Sequence, residues 1–164
     1  MADNIILVGM MGSGKTTLGR FLSMILGLPF IDLDKEIELQ IGKTIPQIFE
    51  EDGEEYFRNF ECLILKNIIS SGNAIISTGG GIIENIESRE ILKEQNKVFY
   101  LKTTPEILYS RIKGDSNRPN LKTFENFSNL LNSRETKYLE VAKHVVDVNK
   151  TISEIAQEVR GLLW

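Results

Sequence analysis

One cysteine, Cys62, is present in the whole sequence, so no intramolecular disulfide can staple the chain. Met1-Ala2-Asp3-Asn4 leads straight into an apolar run without the basic start of a signal peptide. Together these lead us to expect a reducing, cytoplasmic location. With a single histidine, His144, in addition to that one cysteine, a zinc-type metal site is not expected. Apolar runs stay far short of the roughly 20 residues that cross a bilayer, so no membrane partner is expected. Positive charge is also in short supply: 19 Lys and Arg face 23 Asp and Glu, a net charge of −4. A nucleic-acid partner is not expected from such a surface, although a few arginines can still give a small pocket its own potential. Internal repeats, low-complexity stretches and Pro/Ser-rich linkers are missing too. At 164 residues and 41% apolar content, the sequence reads as a single domain over 1–164; a monomer is the expectation, although length and composition do not decide the oligomeric state.

What is there alternates. Short apolar, β-branched runs stand at Ile5–Val8, Phe30–Ile31, Ala74–Ile76, Val98–Leu101 and Val145–Val148, bounded as buried strands are. Helical patterns fill the gaps. Leu18, Phe21, Leu22 and Ile25 recur at helical spacing within Lys15–Leu26, which Gly27 stops. Thr44 with Gln47 and Thr151 with Glu154 fit capping boxes, and Thr104-Pro105 fits an N-cap followed by proline. The expected architecture is α/β in three layers: a five-stranded parallel sheet covered by helices on both faces. Ligands of such sheets bind beyond the carboxyl ends of the strands. Residues 114–120, Gly-Asp-Ser-Asn-Arg-Pro-Asn, break the alternation and read as a loop, with a lid over about 114–123.

Gly9-Met10-Met11-Gly12-Ser13-Gly14-Lys15-Thr16 satisfies G-x-x-x-x-G-K-[ST] between an expected strand and an expected helix. Glycines let backbone N–H groups curl toward phosphate oxygens, and the helix start adds its partial positive charge. Gly12, Ser13, Gly14, Lys15, Thr16 and Thr17 are the candidate nucleotide contacts, with Lys15 on the β/γ-phosphates and the Thr16 hydroxyl on Mg²⁺.

Asp32 and Asp34 end the second strand two residues apart, which puts both on one face if the strand persists. Asp32 could then join the Mg²⁺ shell and Asp34 could take a hydrogen bond from an attacking hydroxyl. Alternatively, Asp34 caps a helix over Lys35–Gln40 and Asp32 is a turn residue. Arg58, taken alone, reads as an ion-pair partner of Glu55 or Glu61 on a wet helix face, and Arg134 as a helix-surface charge. Gly79, Gly80 and Gly81 imply close backbone approach by a ligand or tight packing. Phe49, Phe57, Phe60, Leu63 and Leu65 read as core and groove packing, Cys62 as a buried inert thiol, and His144 as a capping or solvent-facing residue.

Read together, these residues resemble the shikimate kinase family, from Ile5 to Leu163. The phosphate loop is similar at Gly9–Thr16, the acid pair at Asp32 and Asp34, the Phe-Arg segment at Phe57-Arg58 with Glu61, and the glycine triplet at Gly79–Gly81. The lid Arg-Pro is similar at Arg118-Pro119, and the later arginine and tyrosine at Arg134 and Tyr138. The resemblance implies a P-loop kinase fold of the nucleoside-monophosphate-kinase type and transfer of the γ-phosphoryl group of ATP, with Mg²⁺, to shikimate. The product would be shikimate 3-phosphate, in aromatic amino-acid biosynthesis.

By that resemblance Lys15, Asp34 and Arg118 are catalytic, and Asp34, Arg58, Gly80, Gly81 and Arg134 bind substrate through a helical segment over about 34–61 and the triplet. Thr16 and Asp32 hold the metal, while Arg118 and Arg111 reach the nucleotide. A gluconate or nucleotide kinase of the same fold, or a sensor without turnover, is the alternative. Two departures stand out. Asn120 interrupts the family's Arg-Pro-Leu-Leu lid, and Lys137 replaces an apolar residue or proline before the tyrosine, a difference that bears on how Arg134 is held.

Overall fold

A computed structural model describes residues 3–113, 121 and 123–164. Five strands, β1 (Ile5–Val8), β2 (Phe30–Asp32), β3 (Ile75–Ser77), β4 (Val98–Lys102) and β5 (His144–Asp147), form one parallel sheet in the order β2-β3-β1-β4-β5. β1 lies at the centre, with Ile6 registered against Ile76 of β3 and Val98 of β4. All four of its side chains are buried, as a strand covered on both faces requires.

The period-2 alternation of β1 divides the core. Ile5 and Leu7 face α1 (Lys15–Leu26) and α8 (Ile152–Gly161), where Leu18, Leu22, Ile155 and Val159 complete one apolar layer. Ile6 and Val8 face the opposite layer, with Leu65 of α4 (Glu54–Ser71), Leu92 of α5 (Ile86–Lys93), and Phe127 and Tyr138 of α7 (Phe124–Val141). Two short helices, α2 (Leu33–Ile41) and α3 (Ile45–Glu51), join β2 to α4, and α6 (Pro105–Ile112) follows β4. Full burial of each large aliphatic side chain contributes on the order of 2 kcal/mol, so these two layers are what hold the sheet edge rigid.

The caps are those the sequence signals. Thr44 and Thr151 close capping boxes with Gln47 and Glu154, and Thr104 accepts from the Ile107 N–H ahead of α6. Several sequence boundaries shift. β3 runs one residue later than Ala74–Ile76, β5 one residue earlier than Val145–Val148, and β2 and β4 each extend by one residue at the carboxyl end. The larger correction concerns the acid pair. The strand stops at Asp32, whose side chain accepts from the Lys35 N–H as the N-cap of α2, and Asp34 lies in the first helical turn. The two acids therefore do not share a strand face. Leu63 is also corrected: half of its surface is exposed on α4, while Phe49 and Phe60 pack at the rim of the core. Cys62 is buried, and His144 opens β5 with its ring stacked on Phe99 at 5.0 Å.

Candidate active site

The residues after β1, β2 and β3 meet at one edge of the sheet, as expected of ligand sites in parallel sheets. Between β1 and α1 the chain must turn sharply around a phosphate-sized hollow. Gly12 and Gly14 do so at φ of +83° and +87°, the left-handed region that side chains with a Cβ seldom enter. Gly12 also packs tightly against α6: an added Cβ would stand 2.9 Å from the Leu108 carbonyl oxygen. Lys15 opens α1 with its Nζ donating to the carbonyls of Gly9 (2.8 Å) and Met10 (3.0 Å). Thr16 Oγ1 donates to Asp32 Oδ2 at 3.3 Å and lies 3.5 Å from Ser77 Oγ at the end of β3. Arg111, from the last turn of α6, donates to the Gly12 carbonyl at 2.9 Å.

Two hollows flank this loop. One of about 440 Å³ is lined by Lys15, Thr16, Asp32, Asp34, Ser77 and the Gly79–Gly80 backbone, among others. The other, about 270 Å³, lies on the far side of Gly12–Gly14 between Thr17, Leu101, Arg111, Val148, Lys150 and Ile152. Arg111 is thereby brought to the Gly12–Gly14 loop, and Lys150 joins it without any signal in the sequence.

The glycine triplet explains itself by what crowds it. Thr78 Oγ1 donates to the Leu7 carbonyl at 2.9 Å and pins the segment to β1. A Cβ on Gly79 would meet Asp34 Oδ1 at 2.7 Å, and one on Gly81 would collide with Arg58 Nη2. Gly80 has Arg134 Nη1 3.6 Å from its Cβ position, and its carbonyl accepts from the Tyr138 hydroxyl. Close approach is therefore real, and it is made by the side chains of Asp34, Arg58 and Arg134 themselves. Residues from α2, α4 and α7, far apart in sequence, are gathered on three consecutive glycines.

Arg58 is an ion-pair partner of Glu61, as its sequence spacing suggests, but its side chain is mostly covered and Glu61 is fully buried, so the face is not a wet one. Its Nη1 donates to both Glu61 oxygens at 3.1 and 2.8 Å, and Glu54 approaches its Nε at 3.5 Å. The guanidinium also lies over the Phe57 and Phe49 rings, at 5.1 and 5.8 Å from their centroids. Burial pushes the fully enclosed Glu61 carboxyl up to about 7, against the pull of Arg58. Arg134, buried on α7, donates through Nε to Glu84 Oε1 at 2.9 Å. Glu84 closes a 3₁₀ turn at Ile82–Glu84 directly after the triplet, and sequence reasoning gave no sign of its part. Arg118 and most of the expected lid, residues 114–120 and 122, lie outside the described residues. At its carboxyl boundary Thr123 is the N-cap of α7, accepting from the Asn126 N–H.

A hollow lined by a phosphate loop and Asp34, with two arginines packed against the adjoining glycine turn, fits transfer of a phosphoryl group to a small acidic alcohol. The comparisons agree. A family model described as shikimate kinase matches residues 11–163. The chain belongs to the shikimate kinase family. It is 44% identical over 161 residues to the shikimate kinase of Staphylococcus epidermidis, covering 97% of this chain and 94% of that one. Its fold superposes with a TM-score of 0.93 on a shikimate kinase from Acinetobacter baumannii solved in complex with shikimate, at 40% identity, over 99% of this chain and 93% of that one. A gluconokinase from Sinorhizobium meliloti, at 18% identity and a TM-score of 0.58 over 99% of this chain and 92% of that one, shares the fold alone. As a member of the shikimate kinase family the chain is an ATP-dependent kinase, and its reaction is phosphorylation of shikimate. Among the described residues no helix is long and apolar enough to cross a membrane.

Proposed function

We propose that the 440 Å³ hollow is where the two substrates of this reaction meet, with ATP phosphates on Gly12–Thr17 and shikimate on Asp34, Arg58, Gly80, Gly81 and Arg134. The observation that carries this reading is the glycine triplet, because its missing side chains let one carboxylate and two guanidinium groups stand together beside the phosphate loop. The two arginines suit a carboxylate, which their planar forks can grip bidentately. Asp34 suits a hydroxyl.

In the reaction the acceptor hydroxyl oxygen forms a bond to the γ-phosphorus as the bond from that phosphorus to the bridging oxygen of ADP breaks. The hydroxyl hydrogen-bonds to Asp34, which orients it and takes its proton as the new bond forms. Lys15 turns its Nζ from the Gly9 and Met10 carbonyls to the β/γ-phosphates, and the N–H groups at the start of α1 meet the same charge. The 3.3 Å pair of Thr16 and Asp32, with Ser77 adjacent, is a set of hard oxygen donors that fits Mg²⁺ held partly by phosphates and water. Among the described residues no three acidic, His or Cys side chains cluster, so a metal cage built from protein alone is not on offer. When bound, Mg²⁺ would neutralise charge on the β- and γ-phosphates. Arg111 and Lys150 suit the nucleotide beyond the loop. On this reading the described site residues all come from one chain, which suits a monomer, and the single cysteine suits a cytoplasmic enzyme.

Kinetics of Asp34→Asn test the assignment. With shape kept and the proton acceptor removed, kcat should fall by about 10²–10⁴ while Mg-ATP affinity stays within about threefold. A collapse of ATP affinity instead would move Asp34 into the metal site.

A further inference from the structure

Arg134 is held by Glu84 at its Nε edge, while its Nη1 lies 4.0 Å from Met10 Sδ. Its Nε donates to Glu84 Oε1 at 2.9 Å, and Nη1 lies on the Gly80 side. The second oxygen of the same carboxylate, Oε2, accepts from Lys137 Nζ, also at 2.9 Å. Arg134 and Lys137 are one turn apart on α7, and Glu84 comes from the 3₁₀ turn that follows the triplet, so the cluster ties the two elements together. Desolvation works against the Glu84 charge, but hydrogen bonds from Lys137 and Arg134 outweigh it and hold the carboxyl below its ordinary range. Glu84 is thus an anion at neutral pH.

This has an electrostatic consequence. A carboxylate that fixes the angle of an arginine also cancels its charge as seen by an incoming anion. With Lys137 on the other oxygen, two cations face one anion and the cluster keeps a net positive charge.

We propose that Glu84 and Lys137 are positioning residues for the acceptor. Glu84 sets the direction of Arg134, and Lys137 restores the positive charge that Glu84 removes, so the guanidinium meets an anionic acceptor both fixed and charged. Lys137 acts through Glu84 and needs no contact with the acceptor. The inference rests on the reading of Arg134 as part of the carboxylate clamp.

The test uses steady-state kinetics with shikimate and Mg-ATP. Lys137→Met, at a half-exposed surface position, should raise the acceptor KM about fivefold at low salt, with kcat and the ATP KM within about twofold. That penalty should shrink as salt screens the cluster, and Lys137→Arg should behave like the unmodified enzyme. Decisive is the double variant Glu84→Gln/Lys137→Met, in which the amide still accepts from Arg134 Nε and the net charge is again positive. Its acceptor KM should return to within about twofold of the unmodified value. An unchanged KM in Lys137→Met, or a double variant as impaired as Lys137→Met or worse, overturns the inference. Arg134→Lys in the same assay keeps the two readings apart. If Arg134→Lys raises the acceptor KM while the Lys137 variant does not, the charge balance fails and the clamp stands. If Arg134→Lys has no effect, the clamp reading falls and this one with it.

Discussion

The two ends of the active-site cleft are made of different material. The donor end is one contiguous loop between β1 and α1, where the backbone supplies the shape and Lys15 the charge. Its proposed recognition elements are main-chain N–H groups whose direction is fixed once two glycines take positive φ. The acceptor end draws Asp34 from α2, Arg58 from α4, the glycine turn after β3 and Arg134 from α7. There both proposed acceptor arginines are oriented by other side chains: Arg58 by Glu61 and the Phe57 and Phe49 rings, Arg134 by Glu84. A phosphate can be gripped by the shape of one turn. Recognition of a carboxylate next to a hydroxyl needs long side chains, and these must lose their freedom beforehand if binding is not to bear that cost.

If the donor end is mainly preformed backbone, then losing the lysine of its loop should abolish chemistry and leave the fold. Lys15→Ala is expected to lower kcat by about 10³ or more, since one preorganised charge at the phosphates is removed. The Nζ bonds to Gly9 and Met10 are lost too, so Tm should drop by no more than about 5 °C. Near-normal turnover in the folded variant would break the comparison at its donor side. At the acceptor end, Arg58→Lys and Arg134→Lys keep charge but lose the fork. Each should raise the shikimate KM by about 10- to 100-fold while the ATP KM changes less than about twofold. A rise in the ATP KM of similar size would show that the two ends are not separate.

A smaller effect sharpens the claim that the acceptor end is held by side chains under tension with burial. The folded Glu61 carboxyl titrates near 7 against an ordinary value of 4.5, burial being the main cause. Between those values the folded protein holds a proton that the unfolded chain has released. The stabilisation from this group is therefore complete below about pH 4.5 and is lost as pH rises through about 7, by about 3 kcal/mol at most. Glu61→Gln cannot titrate. The Tm of the unmodified protein minus that of the variant should fall between pH 5 and pH 8, and parallel Tm curves would contradict the account.

This asymmetry also governs what could be read from residues alone. The phosphate loop, both capping boxes and all five strands are local patterns, and a strand of four buried residues beside G-x-x-x-x-G-K-T needs no distant partner to be recognised. Strand ends moved by a residue because hydrogen-bond pairing with neighbours, not side-chain type, decides where β3 and β5 stop. Asp34 was expected on the strand because two acids at a spacing of two look like one strand face. The Asp32 side chain instead caps α2, and a cap of that kind ends a strand as firmly as it starts a helix. Arg58 and Arg134 could be picked out only through a resemblance to a family, since each alone reads as a surface charge. Glu84 was not legible at all. Its part comes from α7 folding back onto the turn after β3, and no spacing along the chain records that.

The central claim is that the acceptor end selects a carboxylate and a hydroxyl together and delivers that hydroxyl to the donor end. Coupled ADP release with Mg-ATP, comparing shikimate, gluconate and AMP at equal concentrations, tests it most directly. The account predicts a kcat/KM for shikimate at least about 100-fold above either of the others, because an acceptor that leaves Arg58, Arg134 and Asp34 mismatched forfeits charge-assisted hydrogen bonds. Equal or faster turnover of gluconate or AMP would contradict it.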